Sequence, residues 1–516
     1  MSNIRSILTK KPFTRINPLV REHQKVSTSE YIAPIHTTEI YDIIPQEEFL
    51  KEYYPTGHKI NSDVYYPDKV KYDDKNKQYF KERVFRASFP FQQIITAQQL
   101  VHLCGNDIHL ELTGAHNSED ERETMLELRK GWLDKNIEIA FYKLASSVKS
   151  TGDGAVAFFL DGGKLGWKTL SFMEGDTLYP HYDSITGKLD TFARQYYSYD
   201  SDGERSVSWV EVWDNTYFYR YKQSMQGFSG TVNKVLDYFG LEGYVIDGEP
   251  MRHQFNEIPI VYKRDDNGPC WSASQDSIDK YELAVSHLCQ NNMAYAFPIM
   301  LLKGDDVEIQ GDVYGAVKAI TMGQDDEVKY LSHDNSSESF KLQLETLLKM
   351  IFLGSFTVQP PEVKSGDLPG VAIKLIYSPS IDKAMIDSKE YDEVVDSITK
   401  LFKFGYGIEC KKATKMQSLG VFAWIEPYVH QNQAELVNNL VQLVNANLLS
   451  TDTGSGLTGY GENNEFDKIM VEYKEKQAQD LLYDLGNEQE RNTGNTEGES
   501  SEEGTETEDG KRAETD

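Results

Sequence analysis

The sequence predicts an α+β protein of several domains, and three observations carry that prediction. Helical periodicity dominates one central block from about Ser272 to Gly405. Short alternating apolar runs separated by Gly, Asp and Asn turns fill Gly154 to Tyr221. The 516-residue chain is 39% apolar and 12% aromatic, enough for cores in roughly two to four domains.

Taken in order, residues 1–30 are basic and polar and read as an arm. Residues 31–95, rich in Tyr, Pro, Lys and Asp, read as short extended pieces and turns. Pro90 to Leu103 and Ser118 to Val148 read as helices, the second with Met125, Leu128, Trp132, Ile139 and Leu144 on a stripe. A single antiparallel, meander-like sheet is expected next: Gly154–Leu160, Leu165–Phe172, Asp176–Tyr182, Thr191–Tyr199, Ser206–Asp214 and Thr216–Tyr221. Asp161-Gly-Gly is its first hairpin turn. Gly227 to Gly248 adds hairpins, and Ile258–Tyr262 is a last short strand.

In the central block, Asp276 to Ala296 sets Ile278, Tyr281, Val285 and Leu288 on one stripe. Ser274 is placed to cap this helix, and Asp276 suits the positive end of its dipole. A small insert follows, read as β-α-β-β: a strand at Pro298–Leu302, a short helix near Val307–Lys318, then strands at Ala319–Met322 and Glu327–Leu331. Ser336 to Leu353 is a second helix carrying Phe340, Leu344, Leu347, Leu348 and Ile351, with Gly354 as its stop. A Gly/Pro loop, Val358 to Gly370, leads to a third helix from Ile381 to Phe404. Its stripe is Ile381, Ala384, Tyr391, Val395, Ile398 and Phe402, Gly405 reads as its end, and its length is roughly 36 Å. Beyond it come a strand at Gly420–Ile425, a helix at Gln433–Leu449 with Leu436, Leu440, Leu443, Val444 and Leu448 in phase, and a helix at Phe466–Leu485. Asn487 to Asp516 is Glu, Gly, Ser and Thr without apolar period, and reads as disordered.

Composition narrows the function classes. A formal net charge of −29 argues against a protein that grips DNA through a basic patch. It is compatible with a wall past which DNA slides, because acidic surface repels phosphate. The four cysteines, Cys104, Cys270, Cys289 and Cys410, form no CxxC and suit a reducing compartment. The start lacks the apolar run of a secretory signal, and no window is apolar enough to span a bilayer.

Chemical motifs are few. Gly454-Ser-Gly456-Leu-Thr-Gly459 matches GxGxxG literally, but it follows a helix and precedes none, so it reads as a loop. His109-Leu-Glu111 and Pro269-Cys270 match halves of a zinc deaminase signature, but the second cysteine would fall at Ala273. No GxxxxGK[ST] or HExxH occurs. Catalytic residues, metal ligands and cofactors are therefore all expected to be none. The run Trp209–Tyr221 suits a packed sheet better than a sugar platform. Lys341 and Lys349 on the second helix, and Lys364 and Lys374 around the loop, are candidate phosphate contacts or parts of a solvated face.

Several strings, in this order, resemble the portal (head-to-tail connector) proteins of tailed bacteriophages of the SPP1 type. Thr151-Gly-Asp-Gly-Ala-Val-Ala-Phe and Ser171-Phe-Met-Glu-Gly-Asp-Thr-Leu-Tyr-Pro-His-Tyr-Asp are similar to that family's wing strands. Pro298-Ile-Met-Leu-Leu-Lys-Gly304 followed by Val328-Lys-Tyr-Leu is similar to its clip. Gly366-Asp-Leu-Pro-Gly-Val-Ala-Ile-Lys374 with Ile381-Asp-Lys-Ala384 resembles the stretch entering its tunnel helix, with a longer loop string. Phe422-Ala-Trp-Ile-Glu-Pro, then Ala434-Glu-Leu to Leu449, is similar to the start of its crown. The resemblance covers roughly residues 90 to 480.

The resemblance implies a portal fold, divided as follows: an N-terminal arm and start of wing (1–90), wing (91–272), stem helix (273–297), small α/β clip (298–335) and second stem helix (336–356). Tunnel loop (357–373), tunnel helix (374–405), a return to the wing (406–430), helical crown (431–486) and acidic tail (487–516) complete it. It implies a ring, usually of twelve copies, at one capsid vertex of the virion, assembled in the host cytoplasm. Its implied partners are the major capsid protein, the terminase large subunit, then a head-tail adaptor, with double-stranded DNA passing non-specifically and no membrane. Glu362, Val363, Lys364, Ser365, Gly366, Asp367 and Lys374 would line the channel, Lys341 and Lys349 would belong to its stem, and Lys303, Asp305, Asp306, Glu308 and Lys329 would form the clip's docking surface. Two other readings compete: an acidic carbohydrate-active hydrolase with paired carboxylates, and a tail or baseplate structural protein.

Overall fold

The computed structural model describes residues 10–16, 41–73, 76–113, 118–199, 206–223, 244–294, 299–303, 308–311, 317–321, 327–331, 337–359, 370–429, 433–457 and 468–477. Helices and strands are both abundant, as an α+β chain requires, and residues 1–429 and 430–516 form two compact units.

Among the described residues the first elements are β1 (Phe13–Ile16), paired antiparallel with β2 (Tyr41–Ile44), then α1 (Gln46–Tyr53). The expected polar arm is thus partly built into the fold. Phe13 is buried, stands edge-on to Phe49, and carries the Arg264 guanidinium over its ring at 4.0 Å. Lys10 pairs with buried Asp153, which also accepts from Gln46 Nε2 and the Tyr262 hydroxyl. Residues 31–95 also hold more than turns: α1 buries Gln46, Phe49 and Glu52, and a hairpin of β3 (Lys69–Asp73) and β4 (Gln78–Glu82) follows.

Next come α2 (Phe91–Cys104), β5 (His109–Leu112), α3 (Glu119–Asp134) and α4 (Ile137–Thr151). The single helix expected from Ser118 to Val148 is two. Asn136 takes a left-handed conformation, φ 54°, and the chain turns there. The Lys135 carbonyl, released from helical bonding, accepts from Trp167 Nε1 at 2.8 Å. Ser118 closes a capping box with Glu121, which fixes the start of α3.

The strands also divide differently from the meander expected. β6 (Asp153–Asp161) and β7 (Lys164–Leu170) turn through Gly162 and Gly163, both at positive φ, as a two-residue hairpin demands. A 3₁₀ turn at Phe172–Glu174, held by the Ser171 hydroxyl, then interrupts pairing. β8 (Thr177–Tyr182), β9 (Leu189–Tyr199), β10 (Ser206–Trp213), β11 (Tyr217–Gln223), β12 (Tyr244–Ile246) and β13 (Met251–Arg252) make a second sheet. β14 (Ile260–Arg264) returns to pair with β6, so the first sheet is β14-β6-β7. Leu178 and Phe192 of the second sheet pack with Ala155, Leu170 and Ile260 of the first. Trp209 lies under the side chains of Arg220 and Lys222, so it is not an open sugar platform. Of the Gly227–Gly248 hairpins, only Tyr244–Ile246 is a described strand; 224–243 lie outside the described residues.

The helical block follows: α5 (Gln275–Ala294), strands β15 (Ile299–Lys303), β16 (Glu308–Gly311), β17 (Val317–Thr321) and β18 (Glu327–Leu331), then α6 (Ser337–Gly354), α7 (Gly370–Ile376) and α8 (Ser378–Glu409). The helix expected near Val307–Lys318 is not what its described residues form: 308–311 and 317–318 lie in strands, with β15 against β18 and β16 against β17, and 312–316 lie outside the described residues. The 307–318 stretch holds Gly311 and Gly315, poor in helices, and runs into β-branched Val317 and Thr321. A short α9 (Ala413–Ser418) and β19 (Val421–Trp424) follow, with β19 pairing β5.

The largest core gathers α2, α3, α4, β6, β7 and α8, with Leu128, Trp132, Leu144, Val156, Val395, Ile398 and Phe402 at its centre. The stripe expected on α8 is buried throughout. The helix itself runs past Gly405, which is not its end. A Cβ there would lie 2.5 Å from Leu165 Cδ1, so this glycine admits β7 against the helix. At 32 residues α8 is about 48 Å long.

The second unit holds α10 (Gln433–Asn445), α11 (Thr451–Leu457) and a helix over 468–477. α10 ends before Leu448, which is exposed in the following turn. The GxGxxG string begins inside α11 and not in a loop; a Cβ on Gly454 would lie 2.8 Å from Val444. Residues 487–516 lie outside the described residues.

Candidate functional site

The helix pair α5–α6 and the segment joining α6 to α8 gather most of the sequence's candidate residues, so the site is built from their roots. Trp271, Ile278, Ile351 and Phe352 close a core with Phe91 and Ile95 of α2. Ser274, expected to cap α5, instead donates its hydroxyl to the Ile351 carbonyl at 2.8 Å. A Cβ on Gly354 would sit 2.7 Å from that hydroxyl oxygen, so glycine lets the two helices meet.

α6 ends in a Schellman arrangement: Thr357 N–H donates to the Phe352 carbonyl at 2.9 Å and Phe356 N–H to Leu353 at 3.2 Å. The left-handed position, usually glycine, is Phe356 at φ 53°, and its side chain is half-exposed. Three side chains fix the segment that leaves it. Gln98 of α2 makes a two-bond clamp on Val358, donating to its carbonyl at 3.1 Å and accepting its N–H at 2.9 Å. Gln99 donates to the Ser355 carbonyl at 2.7 Å, and Ser380 of α8 to the Phe356 carbonyl at 3.0 Å. The N-terminal root of the joining segment, residues 355–358, is therefore held by α2 and α8 together.

α8 carries one buried charge cluster. Asp387 accepts from Lys149 of α4 and from Lys383 on its own helix, and Asp387 and Lys149 are both buried. This pairing fixes the axial position of α8 against α4, because sliding would strand a buried charge.

The candidate residues are distributed unevenly. Lys341 and Lys349 are both exposed on α6, eight residues or about 12 Å apart. Lys341 reaches Glu345 at 3.8 Å, a solvent-facing pair worth little. Leu342, Met350 and Leu353 are exposed on the same helix. Lys374 is exposed on α7. Glu362, Val363, Lys364, Ser365, Gly366 and Asp367 lie outside the described residues, as do Asp305 and Asp306. Lys303 lies on β15, Glu308 on β16 and Lys329 on β18; Leu301 and Lys329 are cross-strand partners.

The sequence reading missed how α5 is held along its length. Glu282, Ser286 and Gln290 each accept one backbone N–H, from Phe89 at 2.7 Å, Ala87 at 2.9 Å and Phe85 at 2.8 Å. Every second residue of an extended strap meets every fourth residue of a helix. The steps match: two extended residues advance about 6.6 Å, and four helical residues about 6 Å. Between these bonds Arg86 turns away to Asp63, Asp68 and the Tyr66 carbonyl. The polar period Glu-Ser-Gln was visible in the sequence, but the same period marks any solvated helix face.

His109 and Glu111 lie on β5, where His109 stacks on Trp424 and meets Glu426 at 3.1 Å; Cys270 sits apart beside Thr96. Among the described residues no group of three His, Cys, Asp or Glu side chains could hold a metal ion. No described helix is long and apolar enough to cross a membrane.

The family described as phage portal protein, SPP1 Gp6-like, matches residues 36–479, well over half of the chain. Among solved structures, the chain is similar to one titled "Neck of empty GTA particle computed with C6 symmetry", with 12% identity and a TM-score of 0.40, covering 73% of this chain and 91% of that one. No curated protein matches the chain.

Proposed function

The chain belongs to the SPP1 Gp6-like family of phage portal proteins, and from that membership we propose that it forms the homo-oligomeric ring, of twelve copies, at one capsid vertex. Double-stranded DNA passes through the ring during packaging and ejection. The major capsid protein surrounds it, and the insert 298–335 docks first the terminase large subunit and then a head-tail adaptor. Lys303, Asp305, Asp306, Glu308 and Lys329 are the residues we assign to that docking surface. The chain supplies no catalysis in this role, and the motor's ATPase resides in a separate protein.

The single observation that carries the proposal is the family match over 36–479. The geometry supports it in three ways. Residues 360–369 follow a root held on both sides, Val358 by Gln98 of α2 and Phe356 by Ser380 of α8. α6 presents exposed Leu342, Met350 and Leu353 beside Lys341 and Lys349, a mixed surface suited to neighbouring copies and occasional phosphates. The net charge of −29 keeps passing DNA from sticking, while Lys341, Lys349, Lys364 and Lys374 soften the repulsion. Glu362, Val363, Lys364, Ser365, Gly366, Asp367 and Lys374 are the residues proposed to face DNA.

Deleting residues 362–370 tests the reading. The expected result is intact rings, seen by light scattering and electron microscopy, that package no DNA. Full packaging by that deletion would remove the segment from the mechanism.

A further inference from the structure

The strap's hold on α5 ends in a buried ion pair whose geometry specifies its charge state. The His58 ring is fully enclosed. Its Nδ1 faces Glu282 Oε1 at 2.7 Å and its Nε2 faces the Glu52 carbonyl at 2.8 Å. A carbonyl oxygen can only accept, so Nε2 carries a proton. Nδ1 faces a carboxylate oxygen that is already accepting from Phe89 N–H, so a second donated proton is the arrangement that pairs Nδ1 with Oε1, while Glu282 Oε2 stays buried and unpaired. The ring is then an imidazolium and Glu282 a carboxylate.

We propose that the His58–Glu282 pair is a titratable latch that fastens residues 46–61 and the strap 85–89 to helix α5 at Glu282, and that it opens when His58 loses its charge. Glu282 is the shared element, since the same oxygen holds the Phe89 amide and the imidazolium. With His58 neutral, one of its nitrogens has no proton to offer, and a buried carboxylate loses its counter-charge. A buried charge without its partner is strongly unfavourable, which favours local opening.

The surroundings favour the charged ring. Burial alone acts to lower the His58 pKa, but the Glu282 bond and charge, the Glu52 carbonyl and nearby Asp279 outweigh it and hold it above its ordinary 6.5. The other charged groups here are already paired: Asp279 with Lys59, and Arg15 with the Glu52 carboxylate, which also accepts from Trp271 Nε1. The sign follows from proton binding. The closed latch binds one more proton than the open one between 6.5 and the raised pKa. Latch stability is therefore complete below 6.5 and falls as pH rises towards and through that raised value.

The latch holds whether or not α5 lines a channel, so its test reads hydrogen exchange and not packaging. Amide exchange of the full-length chain would be followed between about pH 6 and about pH 9, expressed as protection factors for peptides covering 83–90 and 280–292. In the native chain, protection there should fall roughly tenfold per pH unit within the window, while the Val395–Phe402 stretch of α8 stays level. Glu282→Gln keeps an acceptor for Phe89 but removes the charge, and should abolish the pH dependence. His58→Gln should show low, pH-independent protection of the strap. Native protection that stays flat across the range would overturn the latch, and so would Glu282→Gln titrating like the native chain. Should His58→Gln fail to fold, the native profile and Glu282→Gln still decide.

Discussion

Helices α8 and α5 are both long, both amphipathic and adjacent in the expected device, yet they are held by opposite means. α8 is embedded: Ile381, Ala384, Tyr391, Val395, Ile398 and Phe402 all lie in core, and Gly405 admits β7 at close range. α5 has a compact apolar root around Ile278 and a small second cluster where Leu283 meets Ile60, Tyr66 and Val84, and alongside these it carries a polar ladder, Glu282, Ser286 and Gln290, to an extended strap. Apolar burial is non-directional and large, so it fixes a wall. Hydrogen bonds are individually worth about 1 kcal/mol and strictly directional, so a ladder of them fixes register and can open step by step. In a portal ring, that difference would separate a part that stays still from a part that can respond.

The embedding of α8 depends most on Phe402. It is fully buried, stacked on Tyr406 and edge-on to Trp132. Phe402→Ala should cost about 3–5 kcal/mol, read as a lowered denaturation midpoint. Gly405→Ala should come next. Its methyl must displace the buried Leu165 side chain of β7, costing about 1–3 kcal/mol, while a surface change such as Ser397→Ala leaves the midpoint unmoved.

Those two positions show what was readable in the chain. The α8 stripe was legible because core burial imposes period on sequence, and Asp161-Gly-Gly was legible because its turn needs two positive-φ residues. Gly405 was misread as a stop. Glycine at a helix end and glycine under a crossing strand look alike until the strand is located. Asn136 hid a break inside a continuous helical pattern, and Phe172–Glu174 hid the seam between two sheets. The insert's helix was misassigned because short apolar runs serve either structure. The ladder was invisible for a different reason: its two sides lie about 200 residues apart, and nothing local distinguishes it from wetted surface. The candidate site was legible as a segment and a family pattern, not as geometry, since 360–369 lie outside the described residues.

Smaller effects sharpen the contrast. Ser286→Ala removes one rung and leaves the Ala87 amide unmatched. It should cost about 1 kcal/mol or slightly more, concentrated in exchange of the strap with little change in the global midpoint. Phe356→Gly should act in the other direction, stabilising the end of α6 by up to about 1 kcal/mol by relieving its left-handed backbone. A loss in assembled rings despite that gain would show that the exposed ring contacts a neighbouring copy. Truncation after residue 486 should leave assembly unaltered, because a tail without apolar period adds no core; its check is the elution and mass of the rings.

The most direct test of the account is a cryo-electron microscopy map of the purified full-length protein, viewed down its symmetry axis. The account predicts a closed ring with a central opening, with Lys349 of α6, Lys374 of α7 and residues 360–369 turned towards that opening. A compact single subunit, or a ring carrying those residues on its outer rim, would contradict it.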